Sequence, residues 1–395
     1  MRSYANLLWL LAIASFLAMA DNQLMIPLLK DMATGLGTTV EAVGRSASAY
    51  AFGAALFPLL LGPAVDRSQR RRWFLYGTLA FATSTAALGV THSVAQLILA
   101  RFLAGGSAGI LGLATFALLG DHVPITFRGR GTGAVFLGTF AALLIAVPLG
   151  SALGQWADWR APYLAVAIGC LLLSAAAPFC LPAPLSSAET QPPQHRKLGY
   201  RAALLSSSAA ALLGATLIAG AGTVGLLTYL GAHLRGALAL STAAAGQTYG
   251  SAAAAALLCA PLAGRISDRI GSRWTLFGAN LLAALAFLLA ALRPGSLVAI
   301  VFAVALGSAG YAARSVSQTA LATQLAAAQE RARLLALLAA AAQIGGGLGA
   351  WFGGRVFSGP GFAALAAGCA ALSLAAALLV VFALPRHLTR EAESR

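Results

Sequence analysis

Long runs of apolar residues, separated by short polar or charged stretches, recur along the whole chain. Each run is about 18–25 residues long, enough to cross a hydrocarbon core of roughly 30 Å as one α-helix. The pattern predicts an all-α integral membrane protein. The expected spans are residues 5–27, 41–62, 73–91, 95–120, 131–154, 161–181, 203–230, 242–263, 274–292, 297–322, 331–354 and 361–384.

The composition excludes a water-soluble globular protein. Of 395 residues, 59% are hydrophobic and 9% are charged, whereas soluble domains carry about 25% charged residues. The start of the chain also resembles a secretory signal peptide, with Arg2, an apolar run and Ala18-Met19-Ala20 before Asp21. Because its removal would leave the two halves of the chain unequal, a retained first helix is the better interpretation.

One charged segment occurs twice. Residues 62–77 read GPAVDRSQRRRWFLYG, residues 264–278 read GRISDRIGSRWTLFG, and each copy lies between two long apolar segments. Repeated units of this kind are typical of secondary transporters. The repetition predicts twelve transmembrane helices in two pseudo-symmetric six-helix bundles, at 1–181 and 203–395. A linker rich in Pro and Ser, at 182–202, is expected to join them.

Arginine residues concentrate in alternate loops. The short loops after even-numbered spans carry arginine clusters, whereas the loop at 91–96 has no Lys or Arg. By the positive-inside rule, both termini and the linker are expected to be cytoplasmic. The net charge of +15 then reflects membrane topology. No nucleic-acid partner is expected, because no basic stripe is interleaved with aromatic residues.

Catalytic and metal-binding signatures are missing from the sequence. It contains no HExxH, no GxSxG in a strand–turn–helix context and no GxxxxGK[ST]. The four cysteines lie in apolar spans without metal-ligand spacing. We therefore expect no enzymatic activity, no metal and no cofactor, and the chain itself is not expected to bind ATP.

The repeated segment resembles a family signature. GPAVDRSQRRR is similar to the G-x-L-x-D-R-x-G-R-[KR] loop of the major facilitator superfamily, although Ala64 replaces Leu and Gln69 replaces Gly. The resemblance covers nearly the whole chain and implies a loop that gates the cytoplasmic side. The gating residues it implies are Gly62, Asp66, Arg67, Arg70, Arg71 and Asp121, with Gly264, Asp268 and Arg269 in the second copy. The alternative is a solvated loop that only fixes topology.

Helices four and five extend the resemblance. RFLAGGSAG matches R-x-x-x-G-G and identifies Arg101 with the intramembrane arginine of the family. VPLGSALGQWADWRAPY resembles the helix-five segment of the drug:proton antiporter and the sugar- or purine-efflux branches, at Pro148, Gly150 and Gly154. The same glycines also allow close helix packing, and the two interpretations are compatible.

Three charged residues lie well inside predicted spans: Asp21, Arg101 and Arg314. A charge at the bilayer centre costs about 2.5–3.5 kcal/mol or more, which favours a functional role. Asp21 and Arg101 are each predicted about 9 Å below the outer surface, so they can meet. We predict that Asp21 couples transport to protons. The alternative is a carboxylate permanently paired with Arg101 or capping a broken helix.

Polar neighbours complete the predicted cavity. Asn22 and Gln23 add hydrogen-bonding capacity beside Asp21, and Gln318 lies one turn from Arg314. Arg314 is expected to contact an anionic substrate group or the opposite bundle, or else to face lipid with its charge at the interface.

The resemblance implies a proton-coupled efflux transporter that exports small organic or amphipathic molecules by alternating access. An uptake symporter of the same fold is the alternative, and a non-transporting membrane sensor or assembly factor is the alternative of another class. The expected partners are protons, a small-molecule substrate and the lipid bilayer. A monomer in the bacterial inner (plasma) membrane is expected.

Overall fold

The computed structural model describes residues 4–67, 70–181, 207–325 and 331–384, which form twelve long helices. The fifth helix has three segments, Ile125–Ala141, a π-helical turn at Ala142–Ala146, and Val147–Trp156, together called α5. The others are α1 (Ala5–Gly35), α2 (Val40–Arg67), α3 (Arg70–Leu88), α4 (Val94–His122), α6 (Ala161–Cys180), α7 (Ser207–Gly236), α8 (Thr242–Ile270), α9 (Ser272–Leu292), α10 (Leu297–Leu325), α11 (Arg331–Ser358) and α12 (Phe362–Ala383). The predicted linker and the outermost residues of both termini lie outside the described residues.

Helix α1 is longer than predicted. It continues to Gly35, eight residues past the expected end at Pro27. A proline inside a helix costs roughly 3 kcal/mol, but Leu28, Leu29 and Met32 beyond it are fully buried and hold the helix together. Asp21 therefore lies roughly 21 Å from the end of its helix at 1.5 Å per residue, whereas its partner Arg101 lies roughly 10 Å from the start of α4. Helix α1 thus extends beyond the start of α4.

Most helices meet the length and apolarity needed to cross a membrane. Among the described residues nine do so, and α8 makes a tenth if its two parts, bent by 40° at Pro261, count as one span. Helix α3 falls short because it begins with three arginines, Arg70, Arg71 and Arg72. These charges lie at helix ends, where they can reach the polar membrane interface.

The packing of the first six helices is repeated in the last six. Helix α1 packs on α5 and α6, as α7 packs on α11 and α12. Helices α2 and α3 both pack on α4, as α8 and α9 both pack on α10. The bundles meet where α1 contacts α7, α2 contacts α11 and α5 contacts α8. The prediction of two pseudo-symmetric bundles is thus confirmed.

Glycine residues permit equivalent close contacts in the two bundles. A Cβ atom on Gly138 of α5 would collide with the main chain of Ala12 on α1. A Cβ atom on Gly345 of α11 would collide with the main chain of Leu217 on α7. Small residues let helices in a membrane approach until their backbones touch. The same contact therefore holds the first and fifth helices of each bundle together.

Candidate functional site

A buried ion pair lies inside the first bundle. Arg101 Nη1 on α4 donates to Asp21 Oδ2 on α1 at 2.9 Å and to the main-chain oxygen of Asp21 at 3.2 Å. Arg101 Nη2 donates to the Tyr163 hydroxyl on α6 at 2.7 Å. The guanidinium carbon lies 5.7 Å from the ring centroid of Tyr50 on α2. With exposed fractions of 0% for Asp21 and 1% for Arg101, the pair ties four helices together.

The hydrogen bonding of this pair is incomplete. Among the described residues, Asp21 Oδ1, Arg101 Nε and the Thr85 hydroxyl have no hydrogen bond of normal geometry, although Thr85 interacts with the carboxylate. An unpaired buried polar atom typically costs about 1–3 kcal/mol. The hydrogen bonds of normal geometry within the pair are therefore those made by Arg101 Nη1 and Nη2.

A cavity of about 80 Å³ lies between the two bundles. Its polar side chains come from both bundles: Asn22, Gln23, Tyr50, Thr228 and Gln343. Its larger apolar side chains are Met25, Ile26, Val224 and Leu227. Tyr50 lines this cavity and also stacks on Arg101, so one side chain separates the cavity from the buried ion pair.

Asn22 and Gln23 were predicted from the sequence as cavity residues, whereas Tyr50, Thr228 and Gln343 were not. The internal repeat carried a signal that could have found part of the second wall. The equivalent contacts of Ala12 with Gly138 and of Leu217 with Gly345 set the register between α1 and α7 at 205 positions. In this register Asn22 corresponds to Leu227 and Gln23 to Thr228, and all four residues line the cavity. The cavity therefore lies on the pseudo-symmetry axis, where the first helices of the two bundles face each other.

A set of polar contacts joins the bundles where α1 ends, at the predicted outer side. Asp31 of α1 forms an ion pair of 2.6 Å with Arg235 of α7, and it accepts a hydrogen bond of 3.0 Å from Thr242 of α8. Lys30 donates to the main-chain oxygen of Arg235 at 3.3 Å. Gln155 of α5 accepts from the main-chain N–H of residue 243 at 2.9 Å. We call these contacts the outer latch. Sequence analysis did not select them.

The predicted gating residues of the first copy are only partly described. Nothing is described for the side chains of Asp66 and Arg67. Arg70 forms an ion pair with Asp121 at the end of α4, and Arg71 donates to the main-chain oxygen of Pro178 on α6 at 3.1 Å. The structure thus brings Arg70 and Asp121 together, within the first bundle.

The glycines of the two repeats and the second charged pair make few contacts. A Cβ atom on Gly62 would lie 3.7 Å from Leu113, whereas one on Gly264 would have no neighbour within 4 Å. Asp268 and Arg269 are both exposed at the end of α8, and neither takes part in an ion pair with another described residue. The gating role of both repeats stays a prediction.

Arg314 is buried against α7 of its own bundle. It is 6% exposed, donates to the Thr223 hydroxyl at 3.1 Å and stacks on Tyr311, 5.3 Å from the ring centroid. Gln318 accepts a hydrogen bond of 3.4 Å from Thr216. Both side chains therefore contact α7 within the second bundle. The alternative of a lipid-facing Arg314 is wrong, because the side chain is buried.

The helix-five segment packs against both bundles. Gly150 and Gly154 pack against the ends of the Leu24 and Leu28 side chains on α1, which would have to shift to admit a Cβ atom. Pro148 follows the π-helical turn of α5 and packs against α8. A proline lacks the N–H that an α-helix needs, which explains an irregular turn next to it. The segment therefore lies at the seam between the bundles.

Comparisons with known proteins agree with this architecture. The family model described as Major Facilitator Superfamily matches residues 11–257 and 212–395. The MFS-type transporter YwfA of Bacillus subtilis is 26% identical over 394 residues, 95% of this chain and 92% of that protein. A chloramphenicol resistance protein of Streptomyces lividans is 39% identical over 169 residues, 42% of each chain. The crystal structure of a mutant of the nucleoside transporter NupG, 16% identical, superposes with a TM-score of 0.80 over 95% of this chain and 99% of that chain, and shares its fold.

Proposed function

This chain belongs to the Major Facilitator Superfamily, and we propose that it is a proton-coupled exporter of small organic molecules. The observation that carries the proposal is the wall shared by the cavity and the buried ion pair. Tyr50 lines the cavity on one side and stacks on Arg101 on the other. An exchanger needs a titratable group beside its substrate cavity, because binding of the proton and binding of the substrate must influence each other.

The proton step acts on the contacts of Arg101. A proton on Asp21 removes the negative charge that holds the guanidinium, while the Tyr163 hydroxyl at 2.7 Å and the Tyr50 ring remain. Protonation therefore weakens the tie between α1 and α4 and leaves the ties to α2 and α6. Loss of the proton restores the pair. In this proposal the pair is one bistable element, whose two states differ in how α1 is held.

Export, rather than uptake, is supported by two observations. A relative from Streptomyces lividans is a chloramphenicol resistance protein, and resistance by transport requires movement out of the cell. The segment with Pro148, Gly150 and Gly154 resembles that of efflux branches and lies at the seam between the bundles. Chloramphenicol is therefore the first substrate to test.

A pH gradient imposed on proteoliposomes tests this proposal by the direction of movement. Antiport moves substrate against the proton flow, so labelled chloramphenicol should accumulate on the acidic side. For one proton per molecule, each pH unit supplies about 1.4 kcal/mol, or about tenfold accumulation. Accumulation on the alkaline side would instead indicate symport. If neither chloramphenicol nor a wider panel of compounds moved at all, a sensor or assembly role would be favoured.

We further propose that the outer latch closes the external side during alternating access. With cytoplasmic termini, the end of α1 faces outward, and the ion pair of Asp31 with Arg235 bridges the two bundles there. The Arg235 and Asp31 side chains are 16% and 28% exposed, so the pair is partly shielded from solvent. The latch then opposes opening to the outside, which requires α1 and α7 to separate.

Asp31→Asn should raise the population open to the outside. A partly exposed ion pair contributes up to about 1 kcal/mol, which corresponds to roughly a fivefold change. The measurement is the rate at which a membrane-impermeant maleimide labels Gln23→Cys from outside cells, after replacement of the four native cysteines. Asp158→Asn is the matched control, because Asp158 pairs with Arg160 in its own bundle. An unchanged rate in Asp31→Asn would contradict the latch.

A further inference from the structure

The cavity between the bundles is lined by polar but uncharged side chains. None of the described residues that line it is charged. The charges behind it, on Asp21 and Arg101, neutralise each other at 2.9 Å and are separated from it by the ring of Tyr50. A charged molecule in this space would lose its hydration without gaining a counter-ion. Removing an ion from water in this way costs several kcal/mol.

The polar groups of the cavity have unused hydrogen-bonding capacity. The side chains of Asn22 and Gln343 and the hydroxyl of Tyr50 form no hydrogen bond with another residue in the described ranges. Each amide offers two N–H donors and one acceptor oxygen, and the phenol can donate or accept. Asn22 and Tyr50 belong to the first bundle and Gln343 to the second. A molecule between them can therefore be held from both bundles by donors and acceptors.

We infer that this cavity selects an uncharged organic molecule that both donates and accepts hydrogen bonds and carries an apolar portion. Met25, Val224 and Leu227 supply the apolar contacts. The inference rests on the proposed transport function and narrows its substrate class. At about 80 Å³ the cavity is smaller than the roughly 300–1,000 Å³ of typical ligand sites. The substrate therefore binds when the bundles move apart, and it contacts both of them.

Gln343 offers the sharpest way to change this selectivity. It is the one amide that the second bundle contributes among the described lining residues. Gln343→Glu keeps the size of the side chain and places a carboxylate where the cavity has no charge. Opposite charges attract strongly in such a low-dielectric space. The variant should therefore bind cations that the native cavity rejects.

The experiment uses chloramphenicol as the uncharged probe, its hemisuccinate ester as the anionic probe and ethidium as the cationic probe. Binding to the purified full-length protein is measured by thermal stabilisation and by quenching of tryptophan fluorescence. In the native protein, chloramphenicol should bind at least about tenfold more tightly than either charged probe, a difference of about 1.4 kcal/mol. Gln343→Glu should tighten ethidium binding by at least the same factor. Gln96→Glu is the matched control, because Gln96 is exposed at the start of α4. This variant should leave the order of affinities for the three probes unchanged.

Each of the following results would overturn the inference. The first is binding of ethidium or the hemisuccinate ester to the native protein as tightly as chloramphenicol. The second is failure of chloramphenicol to bind. The third is an unchanged order of affinities in Gln343→Glu. Accumulation of ethidium on the acidic side, without binding of uncharged probes, would also overturn the inference but would leave the proposed function in place. Binding of chloramphenicol without any proton-driven movement would contradict the proposed function and leave the inference in place.

Discussion

Asp21→Asn is expected to abolish proton-driven accumulation of substrate while preserving exchange down a substrate gradient. The amide keeps the size of the side chain and can still accept a hydrogen bond from Arg101, now 2.9 Å from Asp21 Oδ2, but it cannot carry a proton. Under a pH difference of one unit, the native protein should reach about tenfold accumulation for a 1:1 exchange. The variant should stay at equal concentrations on both sides, measured with labelled substrate in proteoliposomes.

Dissipating the pH gradient distinguishes a loss of proton coupling in Asp21→Asn from a general loss of transport activity. The native protein should lose accumulation when an ionophore dissipates the gradient, whereas Asp21→Asn should be indifferent to it. Asp158→Asn is the matched control, because Asp158 is 50% exposed and pairs with Arg160 outside the cavity. If Asp21→Asn still concentrates substrate under the gradient, Asp21 is not the coupling residue. The ion pair would then have a structural role only.

The fold was largely predictable from sequence because the bilayer permits few solutions. A spanning segment must satisfy its backbone hydrogen bonds internally, so each long apolar run had to be a helix. The repeated segments at 62–77 and 264–278 indicated the two-bundle arrangement. The boundaries were less predictable. Pro27 suggested a helix end, but tertiary packing of Leu28 and Leu29 carries α1 through it.

The buried ion pair could be anticipated because charged residues are rare within spans. Asp21 and Arg101 were predicted at the same depth in the membrane, so a contact between them was expected from the sequence. Tyr163, the last residue of the segment VPLGSALGQWADWRAPY, had no predicted role, and the structure places its hydroxyl on Arg101. The free-energy cost of a charge inside the membrane also singled out Arg314, but it did not indicate which residues surround that side chain. Which face of a helix a residue occupies depends on neighbours that are distant in sequence.

The cavity and the outer latch could not be found from local patterns. Gln343 lies in an Ala- and Gly-rich helix where its polarity carries no positional information. Asp31 and Arg235 are separated by about two hundred residues, and each alone looks like a solvated charge at a helix end. Only the packing of α1 against α7 gives them a common role. Contacts between the bundles are thus the part of the site that sequence reasoning leaves out.

Arg101→Gln is expected to destabilise the protein far more than the double variant Asp21→Asn/Arg101→Gln. The single change leaves the Asp21 carboxylate buried without its cation, and breaking a buried pair in this way costs roughly 3–5 kcal/mol. The double change replaces both charges by amides that can bond to each other. The measurement is the unfolding midpoint of the four proteins of this cycle in the same detergent.

The pH dependence adds an independent check on the same pair. In Arg101→Gln the orphaned acid can be neutralised by a proton, and the cost of supplying that proton rises with pH. The deficit in stability should therefore shrink between pH 8 and about pH 5, while the double variant should show no such trend. Equal losses in the single and double variants at every pH would mean that Arg101 is held by Tyr163 and Tyr50 rather than by Asp21. A proton on Asp21 would then leave Arg101 in place, and the proposed coupling between α1 and α4 would fail.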